Sequence, residues 1–135
     1  MNNPERLVGE KEIIWRDDND IIHIKPNDGF EFDKKDVQRQ FDLYAKLGLG
    51  KNNRALLLAD GTVDFSMTKE ARDLAAKKAK DYFIATAVIS NSLSIRLLVN
   101  FLNSFYNFGI PIKLFRDEKD ALKWLKKKNK VLKSH

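Results

Sequence analysis

Residues 83–115 constrain this chain most, because they read as strand, helix, strand. Phe83-Ile84-Ala85-Thr86-Ala87-Val88-Ile89 is short, uncharged and rich in β-branched side chains, the composition of a strand covered on both faces. Ser90-Asn91-Ser92 then supplies capping side chains, and 93–108 follows with Leu, Ile, Val and Phe on nearly every side. Gly109 and Pro111 stop the helix, and Ile112-Lys113-Leu114-Phe115 makes a second strand. Such a βαβ crossover is right-handed in about 98% of cases and sets its strands parallel. The expectation is an α/β fold with the 83–89 strand at its centre.

The rest of the chain fits around that unit. Glu12-Ile13-Ile14-Trp15-Arg16 and Ile21-Ile22-His23-Ile24-Lys25 are β-rich runs joined by Asp17-Asp18-Asn19-Asp20, so they read as a hairpin. The acids lack the central Gly and distal Glu of a calcium loop. Residues 1–10 read as a loose arm or partial edge strand. After Pro26-Asn27-Asp28-Gly29, Phe30 and Phe32 flank Glu31, and Asp33 with Asp36 can form a capping-box-like start to a first helix. Val37, Phe41, Tyr44 and Ala45 give that helix one inward face. Gly48-Leu49-Gly50-Lys51 ends a helix and precedes a strand, the reverse of a phosphate loop, and reads as a C-cap and turn.

Arg54-Ala55-Leu56-Leu57-Leu58-Ala59-Asp60 is the next strand, and 62–68 a loop leading to a helix capped by Ser66 or Thr68. Ala71, Leu74, Ala75, Ala79 and Tyr82 form the stripe by which this helix lies on a sheet. The last helix starts at Asp117 and buries Ala121, Trp124 and Leu125. The order ββαβαβαβα shows no repeat or linker, so 1–135 is expected to be one domain, with a loose arm over 1–10 and a Lys-rich tail over 126–135.

Charge narrows the partners. Residues 119–135 hold seven Lys against Asp120 alone, which accounts for the whole formal net charge of +6 and leaves the rest of the chain balanced. A neutral body with a basic tail speaks against nucleic acid as the partner and leaves weak membrane-surface contact open, although lysines near a helix C-terminus also suit its dipole. The chain has no Cys, which removes disulfides, thiolate nucleophiles and thiolate metal sites. No charged-then-apolar leader opens the sequence, and a cytoplasmic location is the expectation. His23 and His135 show no pairing with a carboxylate or each other at metal spacing, and Asp60 and Asp64 lack a base or nucleophile beside them. The residues therefore point to a protein that is not an enzyme and needs no cofactor or metal.

Across about 10–126 the element order is similar to the STAS fold of anti-sigma-factor antagonists, and the sequence resembles the bacterial SpoIIAA-like branch, STAS/CRAL-TRIO-like. Leu56-Leu57-Leu58-Ala59-Asp60, Ala71-Arg72-Asp73, Ala87-Val88-Ile89-Ser90-Asn91-Ser92 with Arg96 and Asn100-Phe101, and above all 112–125, with its acidic cap and Ala121-Leu122-Lys123-Trp124-Leu125, carry the resemblance. It implies a single mixed sheet of about five strands with an N-terminal hairpin, mostly parallel β-α units and about four helices. It also implies a protein-interaction or regulatory module working through the loops after the strands: Asp60, Asp64, Ser66, Thr68, Ser90, Asn91, Ser92 and Arg96. The Asp-Ser-Ser-Gly-like segment that carries the antagonists' phosphorylated serine is absent. Ser66 is its nearest counterpart, a candidate phosphosite where a phosphate would meet free helix N–H groups, and it can equally be a plain cap.

The apolar helix leaves a second function open. Leu97, Leu98, Phe101, Leu102 and Phe105, with Val99, Tyr106 and Phe108, exceed what one buried face needs. They can line a pocket for an apolar or lipid-like ligand, form a homodimer face, or serve as core between the sheet and the last helix, the explanation that asks for least. The partner is thus an unknown protein, a second copy or an apolar ligand.

Overall fold

The computed structural model describes residues 6–105 and 109–133, with the backbone alone for Phe105 and 130–133. Along them run β1 (Arg6–Val8), β2 (Glu12–Arg16), β3 (Ile21–Pro26), β4 (Phe30–Phe32), α1 (Lys34–Lys46), β5 (Ala55–Asp60), β6 (Phe65–Met67), α2 (Lys69–Tyr82), β7 (Phe83–Ile89), α3 (Leu93–Phe105), β8 (Ile112–Phe115) and α4 (Glu118–Lys133). Six strands form one sheet in the order β1-β2-β3-β5-β7-β8, and β4 and β6 pair apart from it. The hairpin β2–β3 is antiparallel, and β3–β5, β5–β7 and β7–β8 are parallel. The α/β architecture, the four helices and the parallel crossover around α3 are those expected.

Several details differ. The sheet has six strands where about five were expected, because Arg6–Val8 pairs with β2 as an edge strand, the second of the two alternatives for 1–10. Leu7 lies opposite Ile14 and packs against the core, which anchors the strand. Residues 1–5 of the expected arm lie outside the described residues. The strand β7 is interior but second from the edge, so its apolar composition reflects helices on both faces and not a central place. Of the first helix's expected face, Val37, Phe41 and Tyr44 are buried, while Ala45 is exposed. The 62–68 loop contains the strand β6, parallel to β4, with Phe30, Glu31 and Phe32 opposite Phe65, Ser66 and Met67. Three-residue strands are too short for their period to be read.

A register shift between β5 and β7 decides which side chain faces where. Ala55 lies opposite Phe83 but Leu56 opposite Ala85, so one residue is inserted in β7 and Phe83 turns to the opposite face from Ala85. Phe83 then joins Phe41, Tyr44 and Ala71 under α1 and α2. Ala85, Ala87 and Ile89, with Leu56 and Leu58, lie under Ala121 and Leu125 of α4. Val88 meets Ile95 and Val99 of α3. The helices α1, α2 and α3 therefore share one face of the sheet and α4 takes the other. This overturns the expectation that the apolar residues of α3 are core between the sheet and the last helix, because the sheet itself separates the two helices.

The caps follow from side chains close at hand. The α1 capping box is complete, with Asp36 N–H donating to Asp33 Oδ1 and Asp33 N–H to Asp36 Oδ2, each at 2.9 Å. Thr68, not Ser66, caps α2 by accepting from Ala71 N–H, and Asp117 caps α4 by accepting from Asp120 N–H. Gly48, at φ 89°, closes α1 in the left-handed region.

Asp36 also ties α1 to the hairpin. Lys11 Nζ lies 2.7 Å from Asp36 Oδ2 and Arg39 Nη1 2.8 Å from Asp36 Oδ1, while Arg39 pairs with the fully buried Glu12, which also accepts from Gln40 Nε2. Burial alone would raise the Asp36 carboxyl. The hydrogen bonds from Lys11, the Asp33 backbone and Arg39 outweigh it and hold the group far below the ordinary carboxylate range. With its folded-state value depressed, Asp36 stabilises the fold fully above its unfolded value of about 4, and the contribution fades as pH falls toward the folded value. Asp36→Asn is therefore expected to lower the urea midpoint at pH 7, with the gap from the parent chain narrowing between pH 4 and pH 2. A gap independent of pH would show that the charge contributes nothing.

Candidate functional site

A cavity of about 160 Å³ lies on the α1–α2–α3 side of the sheet. Leu57 and Ala59 of β5, Thr86 and Val88 of β7 and Ile112 of β8 form its floor. Phe41 and Tyr44 of α1, Ala75 and Ala79 of α2, and Ile95, Leu98, Val99 and Leu102 of α3 stand around it. Phe32, Phe65 and Met67 bring the β4–β6 pair to its edge. The space exists because neighbouring positions are small: Ala59 and Thr86 lie below it, and α2 presents alanines where Leu or Phe would fill it. An apolar void of about 150 Å³ is large enough to hold benzene and stays dry without it.

Few polar groups reach this wall. Gln40 donates to Glu12 Oε1 at 2.9 Å, and Asp60 Oδ1 accepts from both the N–H and the hydroxyl of Thr62. Burial, and then the nearby Glu12 carboxylate, push the Tyr44 phenol above its ordinary value, so it is neutral at physiological pH. Thr86 is 5% exposed, and its Oγ1 makes no hydrogen bond to any described residue. The wall can hold an apolar body, and it offers little to move a proton or stabilise a developing charge.

The residues expected at the loops are divided. Asp64, Ser66 and Ser92 meet in a shallow depression with Gly29, Phe30 and Ser94 beside the start of α3. Ser66 is exposed in β6, two residues before Thr68, which caps α2. Ser90 is buried and accepts from Ser92 N–H at 2.9 Å, and Ser92 accepts from Ile95 N–H at 3.4 Å. Both serve the turn into α3. Asn91 and Arg96 are exposed, and Asp60 lies at the cavity.

The apolar candidates divide as well. Leu98 and Leu102 line the cavity, but Leu97 is 58% exposed and Leu93, one turn earlier, 66%. Phe101 is half-buried beneath the Arg72 guanidinium, 5.5 Å from the ring centroid. The Phe105 side chain, Tyr106 and Phe108 lie outside the described residues. The Lys-rich segment continues α4 as helix to Lys133, and His135 lies outside the described residues. His23, expected to stand alone, has Nε2 at 2.8 Å from Asp17 Oδ2 and stacks on Trp15, an arrangement that braces the hairpin turn. Among the described residues no three His, Asp or Glu side chains are gathered to hold a metal ion, and no helix is long and apolar enough to cross a membrane. Missed from sequence were Ala59, Thr86 and the α1 and α2 walls. The one signal for them was Thr86, the lone polar side chain in an otherwise apolar strand.

A family model described as a domain of unknown function (DUF7793) matches residues 14–129. No curated protein matches the sequence. Among solved structures, an uncharacterized protein of the DUF3478 family from Shewanella loihica PV-4, with a SpoIIAA-like fold, superposes with a TM-score of 0.60 at 23% identity, covering 93% of this chain and 97% of its own. The fold of this chain is thus SpoIIAA-like.

Gly61, at the end of β5, lets the two β-strand ends meet α3 closely. Its N–H donates to Ile89 O at 2.6 Å, and a Cβ there would stand 2.9 Å from that oxygen and 3.3 Å from both Ile95 Cγ2 and Ser90 Cβ. Gly61→Ala is expected to cost about 1–3 kcal/mol by forcing backbone apart, read as a lower urea midpoint. Gly50→Ala, which meets nothing within 4 Å, is the control and should shift stability by no more than about 1 kcal/mol. Equal effects would refute the close approach.

Proposed function

We propose, of a chain that belongs to the DUF7793 family and folds in the SpoIIAA-like manner, that it holds a small apolar ligand between its sheet and α3 and performs no chemistry on it. The supporting observation is the cavity of about 160 Å³ with its apolar wall. Pockets for drug-sized molecules run to about 300–1,000 Å³, so the ligand is smaller than these, on the scale of a single ring or a short branched chain. A whole lipid does not fit unless α3 moves outward.

Toluene is a suitable probe. At ten times its Kd a ligand adds about 1.4 kcal/mol to stability, about 4 °C in Tm for a domain of this size. A saturable rise of that order is expected for the full chain. Ala59→Leu, which fills the cavity floor, should remove the rise while far-UV circular dichroism stays native; Ala75→Leu serves if that variant does not fold. Absence of saturable binding to the parent chain by both toluene and phenol, which has nearly the same shape, sinks the proposal.

The interaction-module reading is favoured by one observation, the exposed Leu93 and Leu97 on the outer side of the same helix. Its simplest occupant is a second copy of the chain, since an apolar stripe is complementary to itself across a two-fold axis. Sedimentation of the full chain should then show a concentration-dependent dimer, and Leu93→Ser with Leu97→Ser a monomer of unchanged fold. A parent chain that stays monomeric at high concentration removes this occupant.

A further inference from the structure

We infer that the cavity's ligand is not a pure hydrocarbon but a compact molecule with one hydrogen-bonding oxygen, phenol-like in class, and that Thr86 reads that oxygen. The inference rests on the cavity being a binding site and adds what distinguishes one occupant from another. Thr86 faces the cavity from the floor, between Leu57 of β5 and Ile112 of β8. Its backbone N–H is already satisfied by Pro111 O at 2.9 Å, so the hydroxyl is not needed to hold the strand end. Among the described residues, the other buried side-chain atoms without partners lie on Glu12, Arg16 and Arg72. Each of those side chains makes a hydrogen bond through another atom: Glu12 with Gln40, Arg16 with Leu47 O, and Arg72 with Met67 O. The Thr86 side chain has a single polar atom, and that atom has no partner among the described residues.

A hydroxyl in this state works against folding by a factor of about ten or more, whereas Val has the same shape and no such cost. Val also suits a strand, and Val88 stands two residues on. What the hydroxyl offers in return is both a donor and an acceptor on an otherwise apolar floor. A site built around one hydrogen-bonding group discriminates against the analogue that lacks it, because the group is then left buried and unpaired.

Phenol and toluene have nearly the same shape and differ in the group placed toward the floor. Both are titrated calorimetrically into the full chain and into Thr86→Val. The ratio of phenol to toluene affinity should fall about three- to tenfold in the variant, whatever the absolute affinities. Without ligand, Thr86→Val should melt a few degrees higher than the parent, about 3–5 °C. If both probes bind and the ratio is unchanged, or if the variant melts lower, the hydroxyl is not what reads the ligand and this inference falls while the cavity reading stands. If neither probe binds the parent chain, the cavity reading falls and takes the inference with it.

Discussion

The inserted residue in β7 is the constraint on which the arrangement depends. A regular strand would send Phe83, Ala85 and Ala87 to one face. With the shift opposite Ala55 and Leu56, the bulky ring goes under α1 and α2, where Tyr44 meets it edge-on at 4.8 Å between centroids. The alanines go under α4, where small side chains let a helix approach the sheet closely enough to bury Ala121 and Leu125 completely. The remaining parity puts Thr86 and Val88 toward α3. A single backbone irregularity thus gives a strand of seven residues one close-packed face and one face that is filled at Phe83 and partly empty at Thr86 and Val88.

The empty part survives because its surroundings are held independently of it. On one side α1 is fixed by charge, through Lys11, Asp36, Arg39 and Glu12, which link its first turns to the edge of the hairpin. A buried carboxylate such as Glu12 is strongly unfavourable unless paired, and the pairing leaves α1 little freedom to slide inward. On the other side α3 is set by Gly61 against Ile89 and by the serine turn that begins it. Between fixed walls, alanine-rich α2 cannot supply the volume to close the gap. A void costs stability in proportion to the volume that neighbouring elements fail to fill, and here each element that could fill it has a separate reason to stay.

The sequence made the elements legible wherever their chemistry is local. The uncharged 83–89 run, the acids of the hairpin turn, Asp33 with Asp36 and the Ala71–Tyr82 stripe all act within a few residues of themselves, and each forms the element read from it, although the 83–89 strand is not at the sheet's centre. The parallel pairing of β7 and β8 followed from the helix crossover that joins them. What could not be read depended on partners distant in the chain. Whether Phe30–Phe32 and Phe65–Met67 are strands depends on each other, since three residues carry no period. That α3 and α4 lie on opposite faces depends on a register shift invisible in either helix. Ser66 and Thr68 both looked like caps because both have the right oxygen, and the β4 pairing decides by making Ser66 part of a ladder. The cavity was the least legible feature, because its lining is spread over nine elements and depends on small side chains at a few of them; the apolar excess of α3 pointed toward it and overstated its share of the wall.

The two functional readings meet in α3. Its inner side, Ile95, Val99 and Leu102, faces the sheet and the cavity, while Leu93 and Leu97 face outward from the same rigid rod. A ligand that fits the 160 Å³ space as it stands stabilises the present position of the helix and leaves the outer stripe where it is. A larger ligand has to push α3 away from Val88, and the outer stripe moves with it. Only a difference in affinity between the two helix positions can shift their populations, so the size of the ligand determines whether holding it and presenting a surface are one property or two. The physical link would be the helix itself, whose thirteen residues are too short and too well packed on one side for its two faces to move separately.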